Sequence, residues 1–148
     1  MISASEDFVF VAGGKFREHT NKTELLNLDS WKWEERRDYP YQEYTYWATS
    51  IYFNGQFIIF GGDVEINSRK RIDAYSPATD EWSALGQMKS ARLYGHGLFI
   101  LKNDIFVVGG YIRAPDETRS EKCVFIGKSL NCSYHTLPLI NSRKNIII

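Results

Sequence analysis

Phe57-Ile-Ile-Phe-Gly-Gly62 is the stretch whose reading decides the fold. Four apolar residues of the kind that favour strands run straight into two glycines. The same phrase stands at Phe8-Val-Phe-Val-Ala-Gly-Gly14 and at Ile105-Phe-Val-Val-Gly-Gly110. The pairs Gly13-Gly14, Gly61-Gly62 and Gly109-Gly110 therefore recur at a constant spacing of 48 residues. One such match carries little; three in one phase indicate a repeat architecture.

Working outward, the segment before the second glycine pair is Trp47-Ala-Thr-Ser-Ile-Tyr-Phe53, followed by Asn54-Gly55. Asn-Gly between two apolar runs predicts a tight hairpin, because both residues tolerate positive φ. The third pair is preceded in the same way by Gly97-Leu-Phe-Ile-Leu101 and Lys102-Asn-Asp104. A polar stretch follows each pair and reads as a loop. A third strand is expected at Glu24–Leu28, Arg71–Tyr75 and Lys122–Ile126, and a fourth carries an aromatic residue, Trp33, Trp82 or Tyr134. One unit is thus four strands, a to d from the inside outward. Such a sheet cannot bury both faces alone, but sheets stacked around an axis bury one another. Trp33 and Trp82 are expected to fill the space between neighbouring sheets.

The double glycine after an apolar strand, the apolar or aromatic position, and the tryptophan seven residues later resemble the kelch repeat. The resemblance covers nearly the whole chain. It implies an all-β fold: a kelch-type β-propeller fragment of four-stranded antiparallel blades, about three in number, not closed as a monomer. Two positions depart from the pattern, with Tyr134 read in place of the tryptophan and Leu26 in place of a tyrosine. The expected boundaries are residues 6–38 (strands b, c and d), 46–86 and 94–138 (full blades), and 141–148 (the start of another strand a). Read this way, the chain is a piece of a longer product or a truncated one. Alternatively, its terminal strand completes the first blade of a second copy, giving a closed ring by self-association.

Charge and composition narrow the function. Lysine plus arginine and aspartate plus glutamate each number 18, so no basic excess points to nucleic acid. No apolar run approaches the ~20 residues that span a bilayer, and Met1-Ile-Ser-Ala-Ser-Glu-Asp7 has no signal-peptide pattern. A propeller enzyme acting on sugars or alcohols, like the copper oxidase of related fold, would need several converging His and Tyr ligands. The three histidines are scattered: His19 in a polar loop, His135 on an outer strand, and His96 entering strand a, where the resemblance implies a structural role. No nucleophile, metal or phosphate-loop motif is present. The expectation is a non-enzyme with no cofactor and no metal; the enzyme is the alternative.

Cys123 and Cys132 flank Gly127-Lys128. A two-residue turn there would pair Ile126 with Ser129 and bring the two sulfurs face to face, which predicts a disulfide. Asn21-Lys-Thr23 and Asn131-Cys-Ser133 are glycosylation sequons. These features lean to an extracellular or secreted chain, while the many cytoplasmic kelch proteins make a cytoplasmic one the alternative. The resemblance further implies a protein partner docking on the b–c and d–a loops. The b–c loops are expected at Lys15–Thr23, Asp63–Lys70 and Tyr111–Glu121, with a tyrosine-rich d–a loop at Tyr39–Tyr46. The docking residues expected are Arg17, His19, Tyr41, Tyr44, Arg69, Arg92, Arg113 and Arg119, arginine and tyrosine being the usual interface anchors.

Overall fold

The computed structural model describes residues 1–16, 18–41, 47–62, 70–111 and 120–135, with the backbone alone at 15, 16, 18 and 19. The described strands form three four-stranded antiparallel sheets. The first sheet runs β1 (Ile2–Ala4), β2 (Phe8–Phe16), β3 (Glu18–Asn27), β4 (Lys32–Arg36). The second runs β5 (Thr49–Phe53), β6 (Gln56–Phe60), β7 (Arg71–Ser76), β8 (Glu81–Gln87). The third runs β9 (Tyr94–Leu101), β10 (Asp104–Tyr111), β11 (Glu121–Ile126), β12 (Ser129–Tyr134). The first strands β1, β5 and β9 lie side by side, as the inner strands of neighbouring blades must.

Three features differ from the sequence reading. The first sheet has four strands rather than b, c and d alone. Its strand β1 pairs Ile2 with Val11 and Ala4 with Val9, and is too short to show a period of two. A turn caps it: Ser5 Oγ accepts from the Phe8 amide at 3.0 Å. Second, Lys15–Thr23 is not a loop. The β2–β3 hairpin continues through Gly14↔Thr20, Lys15↔His19 and Phe16↔Glu18, past a bulge between Ala12 and Gly14. Third, Tyr134 does not hold the tryptophan position. The registers Leu26↔Trp33, Tyr75↔Trp82 and Cys123↔Cys132 are equivalent, so Cys132 stands where Trp33 and Trp82 stand. Past this position the third hairpin runs three further pairs to a two-residue turn, against one further pair and a four-residue turn in the second, so the counterpart of the tryptophan lies nine residues after Cys123 rather than seven.

Turn chemistry follows the sequence. Asn54 and Gly55 take φ of 50° and 77°, the pattern of a type I′ hairpin between Phe53 and Gln56. All three glycine pairs lie at positive φ, which explains why the repeat needs glycine there. A Cβ on Gly110 would also come within 2.9 Å of the His96 Cβ.

β6 is apolar without alternation because both its faces are buried. Phe57 and Ile59 join Phe10, Ala12, Leu25 and Tyr75 in the core between sheets 1 and 2. Ile58 and Phe60 join Ile72, Ala74, Ile105, Val107 and Cys123 in the core between sheets 2 and 3. Phe10 stacks on Phe57 at 4.6 Å. Trp82 packs at this first interface, 6.0 Å from Phe10 and 5.1 Å from Tyr75. Trp33, its counterpart in sheet 1, is 54% exposed on the face turned away from sheet 2, so only Trp82 fills an interface among the described residues.

Candidate docking surface

The end of each sheet where strand b ends and strand c begins is the one on which docking is expected. One described acid occupies the same register position in all three sheets: Glu24 opposite Val11, Asp73 opposite Ile59, and Glu121 opposite Val107. In sheets 2 and 3 this acid receives the connector arriving from the preceding sheet.

At the first interface, Tyr39 reaches across from the β4–β5 connector, and its hydroxyl donates to Asp73 Oδ2 at 2.5 Å. Tyr39 is buried and meets Trp82 edge-on at 4.7 Å. Burial, then the Asp73 charge, pushes its phenol well above the ordinary tyrosine range, so it stays a donor. The same connector is held twice more. The Arg37 amide donates to Asp80 Oδ1 at 2.9 Å, and Trp82 Nε1 donates to the Arg37 carbonyl at 2.9 Å. Arg71 completes the cluster, donating to Asp73 Oδ1 at 2.7 Å while its guanidinium carbon lies 3.2 Å from the centre of the Tyr41 ring.

At the second interface Glu121 is fully buried and saturated. It accepts the Lys89 amide at 2.7 Å, the Ser90 amide at 2.9 Å and Arg92 Nη2 at 3.2 Å. Arg92 also donates to the Gly109 carbonyl. Beside it, His96 shares a hydrogen bond with the Phe60 carbonyl at 3.1 Å, tying sheet 3 to sheet 2. Burial pulls His96 down to about 4, against the Phe60 bond and with help from the Arg92 charge. It is therefore neutral near pH 7, and its Nε2 carries the proton given to Phe60.

Of the expected docking residues, Tyr41 lies at this end, 39% exposed and edge-on to Tyr39. Arg92 does not belong to a docking surface. It is fully buried, with the Glu121 carboxylate neutralising its charge and the Gly109 carbonyl accepting from Nη1. Arg17, Tyr44, Arg69, Arg113 and Arg119 lie outside the described residues, and His19 sits on β3 with its side chain outside them. The sequence reading missed Arg71, Asp73 and Glu121. The signal was available in the acid recurring at 24, 73 and 121, close to the period of the glycine pairs.

The cysteines are joined as a disulfide across β11 and β12, in the register expected from the Gly127-Lys128 turn. Of the two sequons, Asn131 is exposed, whereas Asn21 Nδ2 donates to the Tyr39 carbonyl at 3.0 Å. A glycan on that nitrogen would compete with the bond that holds the connector. A cleft of about 40 Å³ lined by Pro40, Tyr41, Asp73, Trp82, Ser83 and Ala84 has room for water, well below the ~300 Å³ of a small-molecule site. Among the described residues, no three His, Cys, Asp or Glu side chains are grouped to hold a metal, and no helix is long and apolar enough to cross a membrane.

Three antiparallel four-stranded sheets, stacked through shared cores with their first strands adjacent, define an unclosed β-propeller. The family model of the kelch motif matches residues 48–89, which are sheet 2 and its connector. The chain belongs to the kelch-repeat β-propellers and holds about three blades. It is 30% identical over 106 residues to Kelch-like protein 25 of Xenopus tropicalis, covering 70% of this chain and 17% of that protein. It is 27% identical over 104 residues to Kelch-like protein 15 of Homo sapiens, covering 66% and 16%. The solved structure of YjhT superimposes with a TM-score of 0.59 at 21% identity, covering 74% of this chain and 33% of that one, and shares the fold. The chain therefore spans about a sixth of the length of these two curated relatives.

Proposed function

We propose that the chain is a protein-recognition module that docks its partner on the end formed by the b–c and d–a connectors. One observation carries the reading: the first part of the β4–β5 connector, residues 37–41, is tied down within the chain itself. Tyr39 anchors it into Asp73, Asn21 holds the Tyr39 carbonyl, and Tyr41 is left partly exposed over Arg71. A pre-ordered loop loses little entropy on binding, and an exposed tyrosine beside an arginine is a typical interface anchor.

The test is affinity capture with quantitative mass spectrometry, run on the wild type, on Tyr41→Ala, and on Asn54→Lys at the opposite end of sheet 2. The expected outcome is a protein whose recovery falls at least ~10-fold with Tyr41→Ala, on the order of 1.4 kcal/mol, and is unchanged with Asn54→Lys. A partner equally sensitive to Asn54→Lys would place docking elsewhere.

A further inference from the structure

Cys132 lies on β12, the edge strand of sheet 3, and Cys123 on its neighbour β11. Their bond ties the edge strand to the sheet by a covalent link as well as by the ladder. β12 is also the strand of sheet 3 that lies against β8 of sheet 2. Both cysteines belong to the core between these sheets, with Ile72, Ala74 and Leu85 of sheet 2, and are 0% and 6% exposed. The seam is closed at two further points. Gly86 of β8 has no space for a Cβ before the Leu130 carbonyl, and Phe53 of β5 stacks on Phe125 at 6.0 Å.

Thiol–disulfide exchange needs a thiolate to reach one of the two sulfurs. Neither is within reach while sheet 2 lies on sheet 3, so reduction has to wait until the sheets part. The converse also holds. Two unbonded thiols occupy more space than a bonded pair, and β8 leaves none to spare. Reduction also leaves β12 held by its ladder alone. The interface protects the bond and the bond protects the interface, a coupling that is reciprocal by thermodynamic necessity. We propose that Cys123–Cys132 is a redox latch on the interface between sheets 2 and 3, opened by a dithiol that enters when the sheets part. One thiolate of the dithiol attacks a sulfur, forming a mixed disulfide and releasing the other cysteine as a thiolate that takes up a proton. The second thiol then closes a disulfide within the reductant and releases the second cysteine, so two electrons pass from the dithiol to the protein. The latch reaches the β8–β9 connector, because Glu121, which holds the Lys89 and Ser90 amides, pairs with Tyr134 in the same β11–β12 ladder. It stands independently of where a partner docks.

Reduction of the 148-residue chain by dithiothreitol, followed by alkylation and intact-mass measurement, tests this. The folded chain should be reduced at least ~100-fold more slowly than the urea-unfolded chain at the same dithiothreitol concentration. Gly86→Ala and Phe53→Ala, which loosen the seam at separate points, should each speed reduction at least ~10-fold. Tyr41→Ala, at the other interface, should not. Circular dichroism on each variant confirms the fold. In the reduced wild-type chain, amide hydrogen exchange should rise at least ~10-fold in β8 and β12 and stay unchanged in the β2–β3 ladder. Equal reduction rates in the folded and unfolded chains would overturn the proposal, and so would two free thiols after purification without reductant. Folded seam variants that are reduced at the wild-type rate, or β8 and β12 amides indifferent to the redox state, would do the same.

Discussion

Sheets 2 and 3 solve one problem in two ways. At equivalent register positions, facing the preceding sheet, sheet 2 carries Tyr75 opposite Trp82 and sheet 3 carries Cys123 opposite Cys132. The aromatic pair is bulky and brings its own hydrogen bonds, Tyr75 to Asp80 at 2.8 Å and Trp82 to Arg37. The disulfide is compact and covalent, and it spans a non-hydrogen-bonded pair with Cα atoms 4.1 Å apart, where cross-strand side chains come nearest. The neighbouring sheets respond. Where the small pair sits, β8 closes on β12 so tightly that a Cβ on Gly86 would lie 2.4 Å from the Leu130 carbonyl oxygen. Where the large pair sits, β4 makes no comparable approach to β8. The lesson is that a blade-to-blade interface is set by the volume at one cross-strand pair, with the connector's anchor adjusted to match: a tyrosine hydroxyl into Asp73 at the wide interface, and two backbone amides plus an arginine into Glu121 at the close one.

The sharpest way to break the comparison is to remove the acid at the close interface. Glu121→Ala leaves Arg92 charged, buried and unneutralised, and should cost about 3–5 kcal/mol in denaturant unfolding. Asp73→Ala should cost less, because Arg71 is partly exposed and water can take over. Gly86→Ala comes next. A methyl cannot fit against the Leu130 carbonyl, and Gly86 sits at φ 155°, so a loss of about 2–4 kcal/mol is expected. Arg36→Ala, at the corresponding place opposite Thr23 in sheet 1, should cost under about 1 kcal/mol.

Replacing both cysteines with alanine should lower stability by about 2–3 kcal/mol, the chain-entropy value for a loop this short, measured as a shift in the urea midpoint. If the disulfide stands in for packing as well as linkage, a Cys123→Tyr, Cys132→Trp double variant will not restore the loss, because β8 leaves no room.

A further effect is expected in pH. His96 is pulled to about 4 in the folded chain from an ordinary value of 6.5. The unfolded chain therefore takes up the proton first as pH falls. The contribution is complete above pH 6.5 and is lost toward pH 4, about 2 kcal/mol by pH 5. Stability curves of His96→Gln should lack that slope.

Local and periodic features were legible in the sequence. The glycine pairs, the Asn54-Gly55 turn and the facing cysteines depend on residues close along the chain, and each is where the sequence places it. What escaped was of two kinds. Ile2–Ala4 is too short to carry a pattern, and Lys15–Thr23 is a polar hairpin whose ladder is backbone alone. The other kind is long-range. Arg92 reads as a surface residue until its partner, 29 positions later, is seen inside. Tyr134 is the aromatic residue of β12, but only the register shows that Cys132 stands where the tryptophans stand. At the proposed docking end, the sequence singles out Tyr41 by its tyrosine-rich setting, while Arg71 and Asp73 read as ordinary strand residues.

The central claim is that each connector is locked onto the next blade through the acid at the shared register position. Amide hydrogen exchange at Lys89 and Ser90 tests it most directly, since both N–H groups end on Glu121. The account predicts slow exchange at both, released in Glu121→Gln before the β10 ladder opens. Exchange at the unprotected rate in the wild-type chain would contradict it.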